Sequence, residues 1–127
     1  MKIVAAGKTS SERAALSVAR ELGLESEGQC RTGQEYHDCV SANSAQADAT
    51  IVLTRSRYSQ VRTQRYIHRT PSPASSDILL CNAAREIPAC REWFRRDRVE
   101  VLHVTGHVPF SQAKVFLRAV LKDDAGG

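Results

Sequence analysis

Residues 2–23 decide the fold class, and they read KIVAAGKTSSERAALSVARELG. The apolar run at 2–6 is typical of a short buried strand that ends at Gly7. Thr9, followed three residues later by Glu12, has the form of a capping box, which marks the first turn of a helix. Apolar residues then recur at helical spacing until a second glycine ends the run. The stretch therefore predicts a strand, a tight turn and a helix.

The rest of the chain continues this alternation of strands and helices. Further strands are predicted at 49–54, 77–81 and 99–105, with a short extended piece near Cys30. Further helices are predicted at 41–47, 59–69, 84–96 and 111–121. This order predicts an α/β fold, a Rossmann-like parallel sheet with helices on both faces. We expect a single domain over residues 1–122 and a flexible tail at 123–127.

The composition is that of a folded protein outside the membrane. The chain has 127 residues, of which 42% are hydrophobic and 25% charged, enough for a core without staples. No window approaches the roughly 18 apolar residues of a membrane helix, and the first apolar run is too short for a signal peptide. These features predict a cytoplasmic protein without a membrane partner.

Four cysteines are present, at positions 30, 39, 81 and 90. In a cytoplasmic chain we expect all four to be reduced thiols. Their spacing does not match zinc sites, whose first ligands usually lie two to four residues apart. The sequence therefore predicts free thiols and no bound metal.

Basic residues are concentrated in one part of the chain, whose net charge is +4. No acidic residue lies between Asp48 and Asp77. The same interval holds Arg55, Arg57, Arg62, Arg65, His68 and Arg69. Such a segment suits an anionic partner, either a phosphorylated small molecule or a nucleic acid, and a solvated surface is the plainer alternative.

The first strand end has the residue types of a phosphate site. In parallel sheets, ligands bind beyond the carboxyl ends of the strands, and the amides at a helix N-terminus attract anions. The spacing is that of neither a Walker loop nor a dinucleotide fingerprint, so an ordinary capped helix is the alternative. The candidate binding residues at the strand ends are Gly7, Lys8, Thr9, Ser10, Ser11, Arg13, Thr54, Arg55, Thr105 and Gly106. Arg62 and Thr63 are further candidates that would approach the site from the end of the strand at 49–54.

Four segments in order form a wider pattern. Residues 5–16 read AAGKTSSERAAL, 30–33 read CRTG, 43–53 read NSAQADATIVL and 102–106 read LHVTG. They resemble, in turn, the motifs SGGQTGxDRAAL, CPxG, NVxDSDATLIF and LNVAG of the molybdenum cofactor carrier family. The resemblance extends over nearly the whole chain.

This resemblance implies a Rossmann-like fold, related to that of the cytokinin-activating phosphoribohydrolases, and a pterin cofactor that carries a phosphate. It adds Gly33 to the candidate binding residues. The chain departs from the family at Ala6, Lys8 and Ser10, which replace a glycine, a glutamine and a glycine. The ligand it implies is the molybdenum cofactor or another phosphorylated small molecule.

Two classes of function follow from these patterns. The first is a small-molecule binding module. The alternative is an interaction protein or nucleic-acid binder that uses residues 55–69, with Tyr58 and Tyr66 available for stacking, and whose binding would fall steeply with salt. A homo-oligomer is compatible with both.

The sequence favours a binding protein over an enzyme. The phosphoribohydrolase motif PGGxGTxxE is absent. His37 and Cys39 would share one face if they lay on a strand, but no oxyanion feature accompanies them. A nucleoside-phosphate hydrolase is the open alternative.

Overall fold

A computed structural model describes residues 1–55 and 75–126, which contain five strands and four α-helices. The strands are β1 (Lys2–Val4), β2 (Glu25–Glu27), β3 (Ala49–Thr54), β4 (Ser75–Leu79) and β5 (Val101–Gly106). The helices are α1 (Ser10–Glu21), α2 (Tyr36–Gln46), α3 (Ala83–Arg96) and α4 (Phe110–Gly126). A 3-10 turn at Leu80–Asn82 precedes α3.

The five strands form one sheet in the order β2-β1-β5-β3-β4, and every neighbouring pair is parallel. β5 therefore lies at the centre, between β1 and β3. Ile3 is in register with Leu102, and Ile51 with Val104. The predicted Rossmann-like parallel sheet is confirmed.

Helices cover both faces of the sheet. Ile3, Leu102 and Val104 belong to the main core, together with apolar residues of α1, α3 and α4. The opposite face carries Val52, which packs against Val40 of α2. Because both faces are covered, β3 is buried at all six of its positions, as is typical of parallel strands.

Several element boundaries differ from the predicted ones. β2 lies at 25–27 rather than near Cys30, and α2 begins at residue 36 rather than 41. α4 continues to Gly126, so the backbone of 123–126 is helical, and the flexibility of the tail stays a prediction. The helix predicted at 59–69 lies outside the described residues. Within the described ranges, no helix is long and apolar enough to cross a membrane.

The prediction of four free thiols is wrong for two of them. Cys30 and Cys39 form a disulfide whose Cα atoms are 5.6 Å apart. The amide of Cys30 donates to the carbonyl of Ala6 (2.8 Å), and the chain then turns back into α2, which brings Cys39 alongside. This approach depends on the tertiary fold, which the cysteine spacing does not encode.

The other two cysteines are free thiols, with Cys81 exposed and Cys90 buried. Burial, assisted by the charge of Glu86, raises the pKa of the Cys90 thiol to about 12. Among the described residues, no group of three or more His, Cys, Asp or Glu side chains could hold a metal ion.

His103 lies in the middle of β5 and is fully buried on the face that α2 covers. Its Nδ1 is 3.2 Å from Thr50 Oγ1, whereas its Nε2 has no hydrogen-bond partner within the described part of the chain. Burial lowers the pKa of His103 from 6.5 to about 4. The folded protein therefore holds this imidazole in its neutral form at neutral pH.

We expect His103 to make folding stability depend on pH. The unfolded state takes up a proton near pH 6.5 and the folded state only near pH 4, so the free energy of unfolding should fall as the pH drops through this window. The difference amounts to about 3 kcal/mol. Urea denaturation at pH 7.5, 6, 5 and 4 measures it in the wild type and in His103→Leu, which should lack this part of the slope.

Identical pH slopes in the two proteins would contradict this assignment. His103→Gln serves as a second non-titrating variant in case leucine does not pack beside Thr50. Comparison with a variant is needed because carboxyl groups elsewhere also change stability over the same pH range.

Candidate functional site

A cleft of about 460 Å³ opens at the carboxyl ends of β1, β3 and β5. Its lining consists of Lys8, Thr9, Ser10, Arg13, Arg55, His107, Val108 and Pro109. These residues come from the β1–α1 turn, the first turn of α1, the residue after β3 and the segment after β5. Three of these residues, Lys8, Arg13 and Arg55, are cationic, and none of the lining residues is acidic. The structure thus brings together the three strand ends that the sequence singles out.

The β1–α1 turn is built around a capping box, as predicted. Thr9 Oγ1 accepts a hydrogen bond from the amide of Glu12 (3.1 Å), and Glu12 Oε1 accepts one from the amide of Thr9 (3.0 Å). Glu12 Oε1 also accepts from the amide of Lys8 (2.9 Å). These bonds fix where α1 begins and hold Lys8 at the rim of the cleft.

Glu12 does more than cap the helix. Its side chain is fully buried, and Oε2 accepts hydrogen bonds from Thr105 Oγ1 (2.8 Å) and from the hydroxyl of Tyr36. One carboxyl group therefore joins α1, α2 and β5. Sequence reasoning missed this role because a solvent-exposed capping glutamate has the same spacing.

The capping box changes which amides an anion can reach. The amides of Lys8 and Thr9 are taken by Glu12. Those of Ser10 and Ser11 have no partner among the described residues, as expected for the first turn of a helix. Ser11 is fully buried, so an anion in the cleft would reach the amide of Ser10, which belongs to the lining.

Two predicted site residues at the turn also hold the structure together. Ser11 Oγ accepts from the amide of Val108 (2.9 Å) and is buried, so it ties α1 to the segment after β5. Arg13 donates to the carbonyl of Lys8 (2.8 Å) and to Ser10 Oγ (3.3 Å) while lining the cleft. Ser11 thus shapes the cleft from behind, whereas Arg13 is part of its wall.

Three predicted residues lie at the strand ends but beneath the cleft. Thr54 Oγ1 donates to the carbonyl of Ile78 (3.1 Å), and Thr105 donates to Glu12. Gly106 packs directly against the backbone of Leu53. None of the three is among the lining residues, so their contacts are those of the fold.

The remaining predicted residues are placed elsewhere. A Cβ on Gly7 would meet Leu16 Cδ1 at 3.3 Å, so this glycine faces α1 rather than the cleft. Gly33 lies in the exposed loop before α2 and does not line the cleft. Arg62 and Thr63 lie outside the described residues, as does the arginine-rich segment beyond Arg55.

His37 and Cys39 do not lie on a strand, where they would share one face, because both belong to α2. Cys39 is bonded to Cys30 and so offers no thiolate. The side chain of His37 is about half exposed, and its Nε2 lies 3.3 Å from Asp38 Oδ1. This arrangement provides no nucleophile and base.

The candidate binding residues did not include three lining residues, His107, Val108 and Pro109, although His107 belongs to the strand end that the sequence singled out. The amide of His107 donates to the carbonyl of Leu53 (3.0 Å), which continues the β3–β5 pairing by one residue and places its side chain at the cleft. Their position in the sequence could have identified them, because they follow the strand predicted at 99–105 and ligands bind beyond the ends of parallel strands.

Comparisons with known proteins bear on the fold. No family profile and no curated protein matches the chain. One solved structure does match, with a TM-score of 0.78 over 94% of each chain and 17% sequence identity. It is the crystal structure of a protein described as "putative molybdenum carrier protein" from Syntrophus aciditrophicus SB.

The two proteins share a fold. The identity is too low to carry ligand or residue roles from one chain to the other. The Rossmann-like fold that the sequence resemblance implied is nevertheless confirmed, and by a protein whose description names the same kind of carrier.

Proposed function

We propose that the cleft binds a phosphorylated small molecule, with its phosphate at the N-terminus of α1. The observation that carries this proposal is the convergence of three strand ends on one cleft whose charged side chains are Lys8, Arg13 and Arg55. Ligands of open parallel sheets bind at such strand ends, where the connections from neighbouring strands diverge.

The phosphate would bind through both backbone and side chains. The free amide of Ser10 and the positive end of the helix dipole stabilise an anion at this position. Lys8 is exposed at the rim and can add a charge-assisted hydrogen bond. Glu12 is fully buried, so its carboxyl group does not line the cleft and does not compete for these cations.

The rest of the ligand would occupy the volume between the strand ends. About 460 Å³ falls within the range typical of small-molecule sites, and Val108 and Pro109 provide apolar surface. The molybdenum cofactor is the first natural ligand to test, because a protein described as a molybdenum carrier shares the fold. The cationic lining suits its phosphate. The metal would then be part of the cargo.

Reversing the charge of Lys8 should separate binding from folding. A charge-assisted hydrogen bond contributes about 1.5–3 kcal/mol, so Lys8→Glu is expected to weaken binding of AMP at least about tenfold. Stability should change little, because Lys8 is exposed. Calorimetric titration with AMP, with adenosine as the phosphate-free control, measures the effect.

Arg20→Glu is the matched control, because Arg20 is exposed near the far end of α1 and its replacement changes the net charge equally. This variant should bind AMP like the wild type. Equal affinities for AMP in the wild type and Lys8→Glu, or equal affinities for AMP and adenosine, would contradict the proposal. Native mass spectrometry of the purified protein would identify a retained natural ligand.

The nucleic-acid alternative depends on a segment of which the structure describes only Arg55. It stays a prediction, and it is distinguished by an oligonucleotide affinity that falls steeply with salt. Submicromolar oligonucleotide binding at physiological salt would favour it over the small-molecule site.

A further inference from the structure

The Cys30–Cys39 disulfide is connected to the cleft from both of its ends. The amide of Cys30 donates to the carbonyl of Ala6, two residues before Lys8. Cys39 lies on α2 three residues after Tyr36, which is close to one helical turn. The disulfide therefore links the end of β1 to the first turn of α2.

Within residues 1–55 and 75–126, the first turn of α2 is held by the disulfide and by the contacts of Tyr36 with Glu12, Thr105 and the sheet. Its N-cap residue, Glu35, makes no side-chain capping hydrogen bond. The apolar cluster that α2 forms with the sheet consists of Tyr36, Val40 and Val52. The side-chain bonds of Asn43 and Ser44 hold the later turns of the helix, not the first. The disulfide is thus the covalent constraint on the turn that carries Tyr36.

Tyr36 connects the first turn of α2 to the β1–α1 turn, which carries Lys8. Its hydroxyl donates to Glu12 Oε2, and the other oxygen of the same carboxyl group accepts from the amides of Lys8 and Thr9. A displacement of Tyr36 would remove one of the two hydrogen bonds to Glu12 Oε2, because the other comes from Thr105, and so would loosen the turn that presents Lys8 and the free amide of Ser10. The connection runs from Cys39 along one turn of α2 to Tyr36, and from Tyr36 through Glu12 to the amides of Lys8 and Thr9.

We propose that the Cys30–Cys39 disulfide is a redox site that controls anion binding in the cleft, with the oxidised form competent to bind. This inference rests on the proposed function. Cys30 is half-buried and Cys39 buried, so an external thiolate would reach Cys30 first. A dithiol reductant gives two electrons and two protons to the two Sγ atoms, which become thiols, and itself closes into a disulfide. The first turn of α2 then loosens and the affinity falls.

The test compares the oxidised and the dithiothreitol-reduced wild-type protein, with the redox state verified by alkylation and mass. Reduction is expected to weaken AMP binding by about fivefold or more, the lower end of typical coupling between sites. It should also speed hydrogen exchange at the amides of Lys8 and Thr9. A Cys30→Ser/Cys39→Ser variant should match the reduced protein and not respond to dithiothreitol, whereas Cys81→Ser should respond like the wild type.

Tyr36→Phe tests the route of coupling, because it keeps the disulfide and removes the hydroxyl. It should show fast exchange at Lys8 and Thr9 in both redox states. Unchanged AMP affinity in fully reduced wild-type protein would overturn the redox site and leave phosphate binding standing. If AMP binds neither form, the proposed function fails, and unchanged exchange at Lys8 and Thr9 after full reduction would then overturn the coupling on its own.

Discussion

Gly106→Ala is expected to destabilise the protein by about 3–5 kcal/mol, which combines backbone strain with overpacking at the centre of the sheet. A Cβ at this position would lie 2.1 Å from the carbonyl oxygen of Leu53 and 2.6 Å from its nitrogen. The φ angle of +132° is also unfavourable for any residue with a side chain. Relief would require β5 and β3 to separate where they pair. Urea denaturation followed by circular dichroism measures the loss.

Gly33→Ala is the matched control for this substitution. Gly33 also has a positive φ, +84°, but nothing lies within 4 Å of the position a Cβ would take. Strain alone should cost about 1–2 kcal/mol there. Equal losses in the two variants would show that backbone conformation, and not the contact with Leu53, sets the requirement for glycine at position 106.

Glu12→Ala is expected to cost about 3 kcal/mol or more, because it leaves several buried donors without an acceptor. Two amides in the β1–α1 turn, the Tyr36 hydroxyl and Thr105 Oγ1 all donate to this one carboxyl group. The loss should appear both in thermal unfolding and as faster hydrogen exchange at Lys8 and Thr9.

Glu12→Gln provides the comparison that isolates hydrogen bonding. The amide oxygen can replace Oε1, and the hydroxyls of Tyr36 and Thr105 can rotate to accept from the amide nitrogen. Most of the network is then kept, so the expected loss is about 1 kcal/mol. A loss as large as that of Glu12→Ala would contradict this account and indicate that the negative charge itself is required.

Patterns among residues close together in the sequence correctly predicted the helix α1 and the strand β3. The capping box at Thr9 and Glu12 fixed the start of α1, and the β-branched run of β3 identified a buried strand. The alternation of these elements was enough to predict a Rossmann-like sheet, because parallel strands need helical crossovers. These parts of the fold agree with the structure.

Features that depend on distant contacts were not predictable in the same way. Residues 36–39, Tyr-His-Asp-Cys, have no helical pattern of apolar residues, yet they form the first turn of α2. This turn contacts Val52 and Glu12, which are remote in sequence, and Cys39 is bonded to Cys30. The disulfide was missed because the chain was expected to be cytoplasmic, and cytoplasmic cysteines are usually reduced thiols.

The candidate site was predicted in outline, and its individual residues less well. The strand ends at Lys8, Arg55 and His107 do meet, because parallel strands have their carboxyl ends at one edge of the sheet. Thr54 and Thr105 have the residue type of ligand-binding positions, but their hydroxyls point to partners within the fold. The orientation of a hydroxyl group depends on residues that become its neighbours only in the folded protein, and the local sequence does not identify them.

The central position of β5 has a consequence for how the chain is made. β5 is the last of the five strands in sequence, yet it is the strand that joins the β2–β1 pair to the β3–β4 pair. While the ribosome synthesises the first hundred residues, these two pairs have no common ladder, and the facing sides of β1 and β3 are unpaired. Such open edges can recruit other chains. The sheet therefore cannot close until residues 101–106 have been made and can pair with both β1 and β3.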